Sequence, residues 1–127
     1  MGRALGLRWL ALQRRRDTLL RMSQPLMSDI LPDLVEEIAY LLKQTMAAPL
    51  EEQVRRLRIV AICDCGDESC ASFATAAEVK VHRTVELDPI EGHLIIDLNS
   101  SDKICFVEVL ERPDVKYLLE EYYDPNR

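Results

Sequence analysis

Three cysteines stand close together in Cys63-Asp64-Cys65-Gly66-Asp67-Glu68-Ser69-Cys70. Thiolates are nucleophiles and ligands for soft metal ions, so this stretch is where chemistry is first sought. A structural zinc site takes four sulfur or nitrogen ligands in a tetrahedron. Cys63, Cys65 and Cys70 supply three, and His82 is the candidate fourth. If the chain turns back near Ala76-Ala77-Glu78, His82 falls opposite Ser72, and Ser72 opposite Cys63. The metal set is then Cys63, Cys65, Cys70 and His82. A register slip of one residue moves His82 to the other face. The spacing, CxC and then a four-residue gap, is not the paired CxxC of common zinc sites.

Thiol redox is a second reading. Cys65 and Cys70, as a cross-strand pair, lie near disulfide distance. Against it, Asp64, Asp67 and Glu68 raise rather than lower a thiol pKa, and no CxxC opens a helix. The third reading is reduced thiols packed as small hydrophobes. Cys105, in mid-strand, is expected to be such a buried packing residue.

Little else offers catalysis. The four glycines form no phosphate-cradling loop, and neither a GxSxG elbow nor an HExxH helix is present. A nucleophile pairing Cys63 or Cys70 with His82 lacks a group to orient the imidazole. Asp97 and Glu108 fall on neighbouring strands and are expected to be solvated at strand edges, as is His93. No catalytic residue is nominated, and a non-enzyme is expected.

The elements that must hold the cysteines follow from periodicity. Leu57 to Ile62 is rich in β-branched residues and reads as a strand entering Cys63. Gly66-Asp67-Glu68-Ser69 is a turn cluster, and Ala71 to Thr75 returns as a second strand. Upstream, Ser28 or Asp29 caps a helix over about Leu31 to Thr45, with Leu31, Leu34, Val35, Ile38, Leu41 and Leu42 as its apolar stripe. Pro49 opens a short helix with Leu50, Val54 and Leu57 inward. Downstream, Glu78 to Leu87 alternates, placing Val79, Val81, Val85 and Leu87 on one face. His93 to Leu98 and Lys103 to Leu110 are a hairpin around Asn99 to Asp102. Pro113 starts a final helix with Val115, Leu118, Leu119 and Tyr122 inward. The fold class is α+β: N-terminal helices, an antiparallel β-meander of about five strands and a C-terminal helix, in two layers.

Of the 127 residues, 28–127 read as a single α+β domain. Residues 1–27 read as a basic N-terminal extension, either a solvated disordered tail or a start codon assigned too early, with Met22 or Met27 as the alternative start. The spacing of Leu5, Trp9 and Leu12 before Arg14-Arg15-Arg16 also suits a basic amphipathic helix. Residues 1–26 hold six Arg and only Asp17, while 27–127 hold ten basic and twenty-one acidic groups. That acidic body repels phosphates, so no nucleic-acid partner is expected, and it suits a basic protein partner. No apolar run approaches the ~20 residues of a membrane span. Four cysteines are too few for a disulfide scaffold, which points to a reducing, cytoplasmic setting.

The motif Cys63-x-Cys65-Gly66-Asp67-x-x-Cys70-x-Ser72-Phe73 lies between Leu31-Pro32-Asp33-Leu34-Val35 and Leu57-Arg58-Ile59-Val60 on one side and Gly92 to Asp97, Ile104 to Leu110 and Arg112-Pro113-Asp114-Val115 on the other. Together these resemble a family of small uncharacterised bacterial proteins with a CxCGDxxCxxF core, over roughly residues 28–120. The resemblance implies domain limits and no activity.

By elimination, the expected function is a non-enzymatic protein-binding or accessory module, of the immunity type, for a basic partner and without a cofactor. Its contacts would be the acidic surface, the edge strands and Tyr122-Tyr123. A structural zinc domain and a thiol redox protein using Cys65 and Cys70 are the alternatives.

Overall fold

Proline and leucine spacing set the helical half. The computed structural model describes residues 24–45 and 48–123. A single turn, α1 (Met27–Ile30), leads into α2 (Pro32–Gln44), and α3 (Ala48–Val54) follows. Pro32 occupies the first helical position of α2, where its missing N–H costs nothing. Leu31 flanks that helix without a side-chain cap. Ser28 and Asp29, predicted as caps, belong to the preceding turn. The stripe Leu31, Leu34, Val35, Ile38 and Leu42 is buried, as are Leu50, Val54 and Leu57.

Five strands follow: β1 (Ala61–Ile62), β2 (Phe73–Ala74), β3 (Arg83–Glu86), β4 (His93–Leu98) and β5 (Ile104–Leu110), with α4 (Pro113–Tyr122) last. The protein is α+β, with helices and one antiparallel five-stranded sheet. The strand order is β1-β2-β5-β4-β3. The meander runs through β3, β4 and β5, and β2 then pairs with β5, Phe73 opposite Val107.

That order corrects one expectation. The predicted return from β2 directly into a paired β3 does not form. Residues 75–82 instead cross as an irregular segment. Val79 and Val81 pack with Ala61, Ala74, Cys105 and Phe106 on one side of the sheet. Val85 and Leu87 join the main core with Phe73, Ile96, Val107 and the helices on the other. The Val79–Leu87 alternation is therefore split between two faces.

Further corrections concern burial. Asp97 and Glu108 are buried, at 0% and 3% exposure, because β4 and β5 are interior strands. The Thr84 hydroxyl donates to Asp97 at 2.9 Å. Leu118 points outward on α4, whereas Val115 and Leu119 are buried. Cys105 is fully buried, as expected, and burial followed by the nearby Asp97 charge pushes its thiol pKa up.

At the start, Met27 is fully buried. The Ile59 N–H donates to the Pro25 carbonyl (2.9 Å), and Leu26 bridges Arg58. Pro25 to Met27 thus belong to the fold rather than to an extension. The rest of the basic segment, residues 1–23, lies outside the described residues. No helix among the described residues is long and apolar enough to cross a membrane.

Candidate metal centre

The β1–β2 pair opens at its tip into the cysteine loop. Its last inter-strand bond runs from the Cys63 N–H to the Ser72 carbonyl at 2.9 Å. Continuing that register would put Cys65 opposite Cys70, but the ladder stops here. The return arm pairs instead with the end of β5. The Ala71 N–H donates to the Val109 carbonyl (2.8 Å), the Glu111 N–H donates to the Ser69 carbonyl (2.7 Å), and Cys70 bridges Leu110. Asp67 closes the turn, its Oδ1 accepting from the Ser69 N–H and the Ser69 hydroxyl, both at 2.9 Å. Gly66 takes a φ of +80°, the left-handed conformation expected of it.

This folding brings Cys63, Cys65 and Cys70 together. Their Sγ atoms all lie within 4.8 Å of one another, close enough to share one metal ion. Burial is graded: Cys70 is buried, Cys63 half-buried and Cys65 exposed. None of the four cysteines is in a disulfide.

His82 is not brought to them. Its N–H donates to the Leu98 carbonyl (2.7 Å), so it lies beside β3 at the opposite edge of the sheet from β1. Four strand spacings separate those edges, roughly 19 Å. The predicted fourth ligand fails because it required β3 to pair with β2.

The thiols sit in an open cavity of about 770 Å³ against α4. Asp64, Asp67, Glu68 and Glu120 give it a negative lining, with Lys116 as the cation. The Lys116 ammonium donates to the carbonyls of Asp67 (3.0 Å) and Cys70 (3.1 Å), fastening the loop to the helix. Tyr123 forms part of the wall, its ring edge-on to Tyr122 with centroids 4.9 Å apart. Burial pushes the Tyr123 phenol pKa up to about 12.

The thiols constrain one another's protons. A hydrogen bond with Cys70, then burial, then the proximity of Cys65 push the Cys63 pKa far above the ordinary thiol range. A divalent ion held by these residues would supply positive charge that favours the thiolate form of its ligands.

Two residues missed in the sequence complete the surroundings. The Cys70 Sγ lies 3.4 Å from the Ser72 hydroxyl, which also accepts from the Val109 N–H at 2.9 Å. Ser72 is only two positions beyond Cys70, a cue visible in the motif. Lys116 is forty-six residues from Cys70 and has no local signal.

Comparisons with protein-family models, with curated proteins and with solved structures found no match for this chain.

Proposed function

We propose that the protein binds a soft divalent metal ion, zinc in the first instance, through the thiolates of Cys63, Cys65 and Cys70. The observation that carries this is the convergence of three sulfur atoms within 4.8 Å. Around a tetrahedral ion with Zn–S bonds of about 2.3 Å, ligand sulfurs stand roughly 3.8 Å apart. Binding would require side-chain rotations that close the set to that spacing. The fourth position faces the open cavity and takes water or an external ligand.

The same features argue against the other cysteine readings. A redox nucleophile needs a depressed pKa, whereas the acids Asp64, Asp67 and Glu68 line the cavity together with Cys65 and Cys70. Thiols acting only as packing groups would be buried, whereas Cys65 is exposed. A basic protein partner keeps support from one observation, the acidic rim of the cavity. It would dock over the ion rather than replace it.

The test is metal analysis of protein purified under reducing conditions without added metal, followed by zinc titration. About one equivalent is expected, lost on Cys63→Ser. Less than about a tenth of an equivalent, with no uptake in the titration, overturns the proposal.

A further inference from the structure

The three proposed ligands are not held alike. Cys63 is tied to β2 through its N–H. Cys70 is tied to β5 by its bridge to Leu110, and to α4 by the Lys116 ammonium on its carbonyl. Cys65 belongs to the span Asp64-Cys65-Gly66, exposed throughout and engaged in no backbone hydrogen bond among the described residues. A Cβ added at Gly66 would meet nothing within 4 Å, so there is open space beside Gly66. Two ligands are thus fixed to the sheet, and one is carried on a free arm at the mouth of the cavity.

We propose that Cys65 is the exchangeable ligand, and that the protein passes its zinc ion to and from an external thiolate. This rests on the metal-binding reading above. Three thiolates give the zinc site a net negative charge, which makes the ion a poor activator of water and directs the open position toward ligand exchange rather than hydrolysis. In the exchange, an incoming thiol loses its proton and its sulfur bonds to zinc. The Zn–Sγ bond to Cys65 breaks, and Cys65 takes up a proton. No electrons are transferred. Cys63 and Cys70 hold the ion while the third sulfur changes. Transfer is completed when two further external thiols each lose a proton and bond to zinc. The Zn–Sγ bonds to Cys63 and Cys70 then break, and each displaced cysteine takes up a proton. The acceptor chemistry is a thiolate, from a small thiol or from another protein's cysteine site.

The experiment loads the full chain with zinc and follows release with a chromogenic zinc indicator. One arm adds increasing glutathione, and the other adds a metal-free four-cysteine zinc-ribbon peptide. Exchange through Cys65 predicts a release rate that rises in proportion to thiol, about tenfold for a tenfold increase. The faster arm identifies the source. A rate independent of thiol in both arms means the ion leaves by simple dissociation and overturns the exchange proposal. Failure of the chain to load zinc overturns the underlying binding reading instead.

Alkylation of the zinc-loaded wild-type protein gives a second readout that needs no variant. Cys65 should be modified at least about tenfold faster than Cys63 or Cys70. Equal rates contradict the free arm. Cys65→Ser should weaken zinc binding at least about tenfold less than Cys63→Ser or Cys70→Ser. An equal or greater loss assigns Cys65 a fixed place and overturns its exchangeable role.

Discussion

The Ser72 hydroxyl lies between the Cys70 sulfur, 3.4 Å away, and the Val109 backbone, whose N–H donates to it at 2.9 Å. In the thiol state Cys70 donates to that oxygen, and the Ser72 hydroxyl reaches the Val109 carbonyl at 3.3 Å. As a thiolate ligand Cys70 needs a donor, and the Ser72 hydroxyl can rotate to supply it. Ser72→Ala should lower zinc affinity roughly 10- to 100-fold. It should also destabilise the metal-free protein by roughly 1–3 kcal/mol, through the buried Val109 N–H left without its acceptor. Competition titration and urea denaturation check the two effects separately.

Lys116 fastens the cysteine loop from a distance. Lys116→Met removes two charge-assisted hydrogen bonds and the cation that offsets a negatively charged metal site. A stability loss of about 1 kcal/mol and weaker zinc binding are expected. Lys116→Arg should recover part of both in the same assays, because it keeps the charge.

The raised Cys63 pKa makes metal-free stability depend on pH. A group whose folded pKa lies above its unfolded value stabilises the fold fully below the unfolded value, about 8.5 for a thiol. That contribution fades as pH rises beyond it. Urea midpoints of the metal-free protein should therefore fall between about pH 8 and pH 10. In the zinc-loaded protein the three ligand thiols are already deprotonated, so the fall should be smaller, leaving the part that the buried Cys105 thiol contributes. Zinc affinity should rise with pH below the thiol range, since each bound ion expels up to three protons, one from each ligand cysteine. A flat metal-free midpoint would contradict the coupling of the thiols.

Much of the fold was legible in the residues, for local reasons. The apolar run of His93–Leu98 between two turn segments marks β4 to its ends, and the proline at each helix start marks α2 and α4. The neighbour of β2 was not legible. Phe73 pairs with Val107, more than thirty residues on, and no local pattern chooses between that strand and β3. The same gap explains the candidate site. Cys63, Cys65 and Cys70 converge because one turn joins them, so their grouping could be read from spacing. His82 was assigned through a strand pairing, and tertiary packing settled that pairing otherwise. Glu108 was misplaced on the same ground, since the observed strand order makes β5 interior where a simple meander leaves it at the edge.

Behind the site, Arg112 links the sheet end to the helices. Its guanidinium donates to both Glu37 carboxylate oxygens, at 2.8 and 2.9 Å. Gly92 packs beneath it with φ of +68°. A Cβ there would lie 2.4 Å from the Leu110 carbonyl oxygen and 2.9 Å from the Arg112 side chain. Gly92→Ala should cost roughly 2–4 kcal/mol in urea denaturation, combining backbone strain with displacement of the Arg112–Glu37 pair. Gly66→Ala, strained in φ but with open space around it, should cost about 1–2 kcal/mol. Equal costs would show that the Arg112 contact does not matter.

Zinc-edge X-ray absorption on the loaded, reduced chain tests the three-thiolate centre most directly. The expected spectrum has three sulfur scatterers at about 2.3 Å and one lighter atom near 2.0–2.2 Å. Cys65→Ser should leave two sulfurs. A first shell of nitrogen and oxygen alone, or one unchanged by that substitution, would contradict a metal centre built on Cys63, Cys65 and Cys70.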